Sequence, residues 1–389
     1  MPGSNRRCAL AAIALPLLFL AMSGLSRAAT IVVNTHDGGS ETVPGKCSLT
    51  DAVAAANAGG KVKNCVARKG ANKIIFHVTG TIKIAATLNV TAGKLTIVGP
   101  TGSPGITISG GGLVQLIDVP SGSTLKLQLL TLANGSNAGP GGAISNGGTL
   151  IVTNCTFSDN QAIFPSGAGG AISNASSSDG SLTVTNSTFS GNQNGTISSE
   201  GSSDTVTNST FYGNAAQLGG SAIDAYSMTV TDCTFSDNQT APPSFPGQLN
   251  GGALCLPQAV PQIYKISVQG SLFANNTGGN CCAGGAEPTN EGYNISDDDT
   301  CDFGISTGAK GQTIGDNVKP LLASGLADNG GPTETIALIP GSPAIEAVPL
   351  AQCTVRTDQR GDPRPEPGFS DCDIGAYEYQ GLRRKKKPL

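Results

Sequence analysis

The chain has 389 residues, including 54 glycines and no tryptophan, with 4% aromatic and 13% charged residues and a net charge of −4. Few charges beside 38% hydrophobic residues exclude the charge-rich, apolar-poor composition of a disordered chain. A pI near 5.2 leaves no basic footprint for nucleic acid.

The first residues read as a secretory signal. Arg6 and Arg7 form a basic start, Ala9 to Met22 an apolar run, and Ser26-Arg27-Ala28 a small-residue cleavage site. The run is shorter than the roughly 20 residues of a membrane span, and no second apolar stretch follows, so no span is expected in the mature chain. Cleavage removes Cys8 and leaves ten cysteines, an even set that suits an oxidising compartment. With no C-x-x-C pair and only His36 and His77, the cysteines do not read as a zinc site.

Cys47 to Asn57 reads as a short helix in which Ser48 is the N-cap and Asp51 completes a near capping box. Leu49, Val53 and Ala56 are expected to face the first coil, and Cys47 and Cys65 to staple this cap. Short alternating strands follow at Lys73–Val78, Ile82–Ile84, Leu95–Ile97, Ile106–Ile108 and Leu125–Leu127, separated by glycine-rich turns.

The middle of the chain repeats itself. Val152-Thr-Asn-Cys-Thr-Phe157-Ser-Asp-Asn160 returns at Val184 to Asn192, Val206 to Asn214 and Val230 to Asn238, and in degraded form at Val268 to Asn276. Gly141-Gly-Ala-Ile144 is interleaved with it and recurs at Gly169, Gly220 and Gly251. The phenylalanines lie 32, 22, 24 and 38 residues apart, so the unit is about 22–24 residues with loop insertions. Leu182 and Val184 alternate with Thr183 and Thr185, the period of a strand with one buried face. The pattern predicts an all-β fold, a single right-handed parallel β-helix with a short N-terminal helical cap. Its coils stack about 4.8 Å apart, so identical side chains lie one above another. The slots three after and three before each Phe, Asn160 and Asn154 in the first copy, then read as stacked structural amides.

An open solenoid needs a cover at each end. Cys47-Ser-Leu-Thr-Asp-Ala52 resembles the CSLREA-type segment of exported bacterial β-helix proteins, departing from it at Thr50 and Asp51. Asn329 to Thr333, Leu338 to Ile345, Asp358 to Gly361, Arg364-Pro365 and Cys372 to Glu378 occur in the order of the closing region of choice-of-anchor Q proteins, which have the pectin-lyase-like fold. The resemblance implies export and a β-helix, and supplies no catalytic set. The segment from Asp358 to Glu378 reads in two ways: as a catalytic site in which Asp358, Arg360, Arg364 and Asp373 form an ion-pair network, or, the reading favoured, as a cap folded back over the last coil and closed by Cys353 and Cys372. The chain then divides into a signal peptide (1–28), an N-terminal cap with the first strand (29–70), the β-helix (71–345), a C-terminal cap (346–379) and a basic tail (380–389).

Residues 127–264 contain no Lys, Arg or His, so the most regular coils offer neither a cationic base nor attraction for an acidic glycan. That argues against a lyase. A glycosidase needs two carboxylates, and the candidates are Asp204, Asp224 and Asp232, with Asp237 beside them. Asp204 takes a slot held elsewhere by Leu150, Leu182 and Met228, and the reading favoured there is a frayed strand. Asp297, Asp298 and Asp299 are the candidate calcium ligands, set against a solvated acidic turn. No other cofactor is expected. Cys155 and Cys233 share a slot about three coils apart, roughly 14 Å, too far for a disulfide. The function expected is an exported, non-catalytic β-helix at the cell surface or outside the cell, an adhesin-like or glycan-contacting structural component whose partners are extracellular glycans or surface components; the alternative is a carboxylate-dependent polysaccharide-degrading enzyme, a glycoside hydrolase rather than a lyase.

Overall fold

The structure, a computed structural model, describes residues 28–39, 44–103, 105–163, 169–175, 180–201, 203–242, 250–256, 265–282 and 287–381. The signal segment, Cys8 and the basic tail lie outside the described residues. Three sheets wrap a common interior as a right-handed β-solenoid, with ten, eleven and seven strands among the described residues, all paired in parallel except Ile305–Thr307, which joins the end of the second sheet antiparallel.

The repeat places the strands. Leu95, Leu125, Leu150 and Leu182 lie in register in the first sheet, and Ile97, Leu127, Val152, Val184, Val206 and Val230 form the next inward column. The second sheet carries the phenylalanines: Phe157, Phe189, Phe211, Phe235 and Phe273 pair in sequence and are fully buried. Their rings stack face over face, with centroids 4.7–4.9 Å apart. The third sheet carries the Gly-Gly-Ala-Ile motif, with Ile144, Ile172, Ile197, Ile223 and Leu254 in one column. The strands of the first sheet, such as Thr149–Thr153 and Ser181–Thr185, alternate because one side chain in two closes the interior.

The two asparagine slots do different work. After each Phe there is a true amide ladder of Asn160, Asn192, Asn214, Asn238 and Asn276. Asn192 Nδ2 donates to the Phe157 carbonyl at 3.1 Å and to Asn214 Oδ1 at 2.9 Å. Its Oδ1 accepts from Asn160 Nδ2 at 3.0 Å and Asn160 N at 3.1 Å. Asn214 repeats this one rung on, so both donors and both lone pairs are used in the dry interior. The slot before each Phe is not a second ladder. Asn154, Asn186, Asn208, Asp232 and Gly270 all have φ between 47° and 59°. That left-handed corner suits Asn, Asp and Gly, and it directs Asn208 outward, where its Nδ2 meets the Thr357 carbonyl at 2.7 Å.

The helix Leu49–Ala58 covers the N-terminal end. Ser48 Oγ accepts from Asp51 N at 3.1 Å and donates to the Asp51 carboxylate, and Gly59 ends the helix in the left-handed conformation. Leu49, Val53 and Ala56 are buried, together with Ala52 and Ala55, against the coil interior. The strand Ala29–Val33 ahead of it pairs with Asn72–Phe76 as the outermost rung of the first sheet. Disulfides join Cys47 to Cys65, Cys255 to Cys282, Cys281 to Cys301 and Cys353 to Cys372, while Cys155 and Cys233 are free and buried.

The C-terminal segment departs most from the sequence reading. The last strand to join the coils, Thr313–Gly315, ends well before residue 345. From Val318 onward the chain does more than meet the final coils, where Ala309 N donates to the Ala347 carbonyl at 2.9 Å and Ile314 packs with Ala344 and Ala347. It also lies along the outer face of the second sheet as a strap. Thr188 Oγ1 donates to the Glu334 carbonyl at 2.6 Å, Thr210 Oγ1 donates to Gln359 Oε1 at 2.6 Å, and Thr234 Oγ1 accepts from Ala376 N at 3.0 Å. These threonines form one outward column. At its next position stands Leu272, which packs with Ile295, Leu338, Val348 and Ile374 in a second, smaller core.

Replacing Asn214 by Ala leaves ladder partners unsatisfied on both sides and is expected to cost about 1–3 kcal/mol, while Phe211→Ala opens a cavity costing about 3–5 kcal/mol. Urea unfolding checks both, and Asn208→Ala, at the outward slot, is expected to cost less than Asn214→Ala.

Candidate functional site

The three candidate carboxylates do not converge. Asp204 is 1% exposed and faces inward from a formed strand, Asp204–Thr207, so the favoured expectation of fraying is corrected. It ends a second interior chain of polar groups. Asn146 Nδ2 donates to Asn174 Oδ1 at 2.5 Å, and Asn174 Nδ2 donates to Asp204 Oδ2 at 2.6 Å. Ser199 also donates to Asp204 Oδ2, and Leu182 N donates to Oδ1 at 2.8 Å. A leucine at this slot would leave those donors bare, which is why a carboxylate replaces the usual apolar residue. Burial still raises its pKa against these hydrogen bonds. Asp204 also lines a shallow depression of about 390 Å³ with Thr205, Thr229 and Lys265, but both its oxygens are committed.

Asp232 occupies the left-handed corner of its coil, where Asn stands in the three preceding copies. Its carboxylate lies 3.4 Å from Arg364 Nη1 of the strap and accepts from Thr354 Oγ1 at 3.1 Å. Arg364 is buried and also reaches Glu378 at 3.4 Å and the Gly375 carbonyl. Arg360 pairs with Asp358 at 2.7 Å, donates to the Glu378 carbonyl at 2.6 Å and lies 3.7 Å over the Tyr377 ring. The expected network of Asp358, Arg360, Arg364 and Asp373 therefore has different membership. Asp232 and Glu378 are the partners of Arg364, and Asp373 accepts from the backbone of Glu346 and Tyr379. Burial pushes Glu378 up to about 8 and Asp373 up to about 6.

Asp224 projects outward from the third sheet, between Ser198 and Cys255 of the neighbouring rungs. Among the described residues it has no hydrogen-bond or ion-pair partner, and burial pushes its pKa up to about 7. Half-buried by surface area, it takes this shift from the surrounding protein, Gly219 included, rather than from a charged neighbour. The nearest acid in its own outward column is Asp118, four rungs away, or about 19 Å. Asp204 faces the interior and Asp224 the outside, so these two do not flank one bond.

Asp297 and Asp298 bind their own chain rather than forming a solvated turn. Asp297 accepts from Asn275 N at 2.8 Å and Asn280 Nδ2 at 2.9 Å, and Asp298 from Asn280 N at 2.9 Å and Thr300 Oγ1 at 2.7 Å; Asp299 is exposed. Among the described residues no group of three or more His, Cys, Asp and Glu side chains is placed to hold a metal ion.

A feature absent from the sequence reading is an open cleft of about 450 Å³ where the strap meets the coils upstream of Thr188. Its floor is Thr131 and Thr156. One wall is the turn around Pro100 and Ser103, and the other is strap residues Asp328 to Glu334. The floor lies within the repeats, but the second wall comes from nearly 200 residues away in sequence, so spacing alone carries no signal for it.

Comparison with protein-family models, curated proteins and solved structures found no match to this chain.

Arg364→Ala strands Asp232 and Glu378 and is expected to cost about 3–5 kcal/mol, seen as protease cleavage within residues 318–381 before the coils unfold. Asp224, raised from 3.8 to about 7, holds a proton in the folded chain that the unfolded chain has released, so its stabilising effect is full below pH 3.8 and is lost as pH rises through 7. Stability measured from pH 4 to 8 is expected to fall less steeply in Asp224→Asn than in the parent; the other carboxyls that burial raises, Glu378, Asp373, Asp204, Asp232 and Asp316, contribute slope of the same sign.

Proposed function

We propose that this protein is an exported, non-catalytic β-helix rod that acts as an adhesin-like component at the cell surface or outside the cell and contacts glycans along its side. The observation carrying this reading is the use made of the buried acids. Asp204 completes an interior hydrogen-bond chain and Asp232 fastens the strap. A hydrolase of this type needs a pair of carboxylates roughly 5–9.5 Å apart across the scissile bond, and the candidates face different ways.

Export is supported by the basic and apolar start of the chain and by four disulfides, which suit an oxidising compartment. It is further supported by the resemblance of Cys47 to Ala52 and of Asn329 to Glu378 to the two end segments of exported β-helix proteins. Among the described residues no helix is long and apolar enough to cross a membrane.

The hydrolase alternative keeps one favourable observation. Burial pushes Asp224 up to about 7, so it keeps a proton for part of the time at neutral pH, as a general acid must. The purified mature chain is expected to release no new reducing ends from a panel of neutral, acidic and amino-sugar polysaccharides while retaining some of them on a glycan array. Turnover that disappears in Asp224→Asn would overturn the non-catalytic reading.

A further inference from the structure

The outward threonine column of the second sheet runs Thr107, Thr131, Thr156, Thr188, Thr210 and Thr234 in unbroken register. The strap supplies hydrogen-bond partners to Thr188, Thr210 and Thr234. Upstream the strap turns away, and Thr131 and Thr156 become the half-buried floor of the open cleft. Its volume of about 450 Å³ falls in the range of ligand sites, ~300–1,000 Å³.

The lining defines the ligand. Among the described residues its charged side chains are Asp328 and Glu334, both exposed, with no Lys, Arg or His in the lining. Asp328 Oδ1 accepts from Gly330 N at 3.1 Å, which fixes it on the wall. The strands under the floor, Leu130–Ala133 and Thr156–Ser158, are paired on both sides, so no free strand edge is offered to a peptide. What remains is hydroxyl groups, the Asn154 amide, two carboxylates and small apolar patches at Pro100, Leu129 and Pro332. Hydroxyls and amides suit ring hydroxyls, the prolines and leucine suit the C–H faces of a pyranose, and the carboxylates favour a cation.

We propose that this cleft binds a short stretch of amino-sugar glycan, with Asp328 and Glu334 taking its ammonium groups and Thr131 and Thr156 its ring hydroxyls. The assignment rests on the reading that the rod contacts glycans, and names the place and the sugar class.

Isothermal titration of the full mature chain with glucosamine tetramer tests it, against N-acetylglucosamine tetramer, galacturonate tetramer and tetralysine. Glucosamine tetramer is expected to bind, more weakly as salt rises, and galacturonate tetramer not to bind. The double variant Asp328→Asn, Glu334→Gln is expected to lose about tenfold or more in affinity, and Thr131→Tyr, which fills the floor, to lose binding. Unchanged thermal unfolding of both variants shows that the fold is intact. Equal binding of galacturonate or tetralysine, or tighter binding of the N-acetylated tetramer, overturns the proposal. Glycan binding that both variants leave unchanged overturns the cleft assignment while the glycan-contacting function stands; no binding of any sugar here or on the array ends both.

Discussion

Stacking of identical side chains at strand spacing governs this molecule. A parallel coil places residue upon residue along the axis at about 4.8 Å, so a side chain that suits its own copy above and below is favoured in every rung. Phenylalanine meets the condition by face stacking, and asparagine by donating and accepting through one amide. The asparagine ladder closes its hydrogen bonds where water is excluded, which is where an unmade bond costs most. Aspartate in that column would lose both donors and bury a charge.

The ladder also explains how the coils tolerate irregular loops. Insertions lengthen the unit from 22 to 38 residues between successive phenylalanines, yet the rings return to the same stack. Register is held by the ladder columns and not by loop length. The outer surface is free to differ from coil to coil, and that is where Asp224, the strap and the cleft are found.

Much of this was legible because period-two alternation and in-register copies appear directly as a repeated string. The ring ladder, the three sheets and the capped helix all follow from Phe157, Ile144, Ser48 and their copies. Two of the readings that the structure changes show why in physical terms. Asp204 in an apolar slot reads as a frayed strand when its donors, Asn174 and Ser199, belong to other strands. The C-terminal segment reads as an end cap alone because the surface it also docks along consists of threonine and asparagine, which look like ordinary solvated repeat positions. The sequence does mark the docking line in two places. Asp232 replaces Asn where Arg364 arrives, and Leu272 replaces Thr where the small apolar core sits. The cleft was invisible because one wall is a repeat turn and the other is distant in sequence.

A solenoid is ordinarily a one-dimensional chain in which each repeat feels only its neighbours. The strap breaks that rule, because a single segment grips the coils of Thr188, Thr210, Thr234 and Gly270 together. Those coils are coupled into one cooperative block, while the coils from Lys94 to Thr156 keep nearest-neighbour behaviour. The rod is thus mechanically graded along its length, with a compliant half near the helix and a stiff half under the strap, and the cleft lies at the border between them.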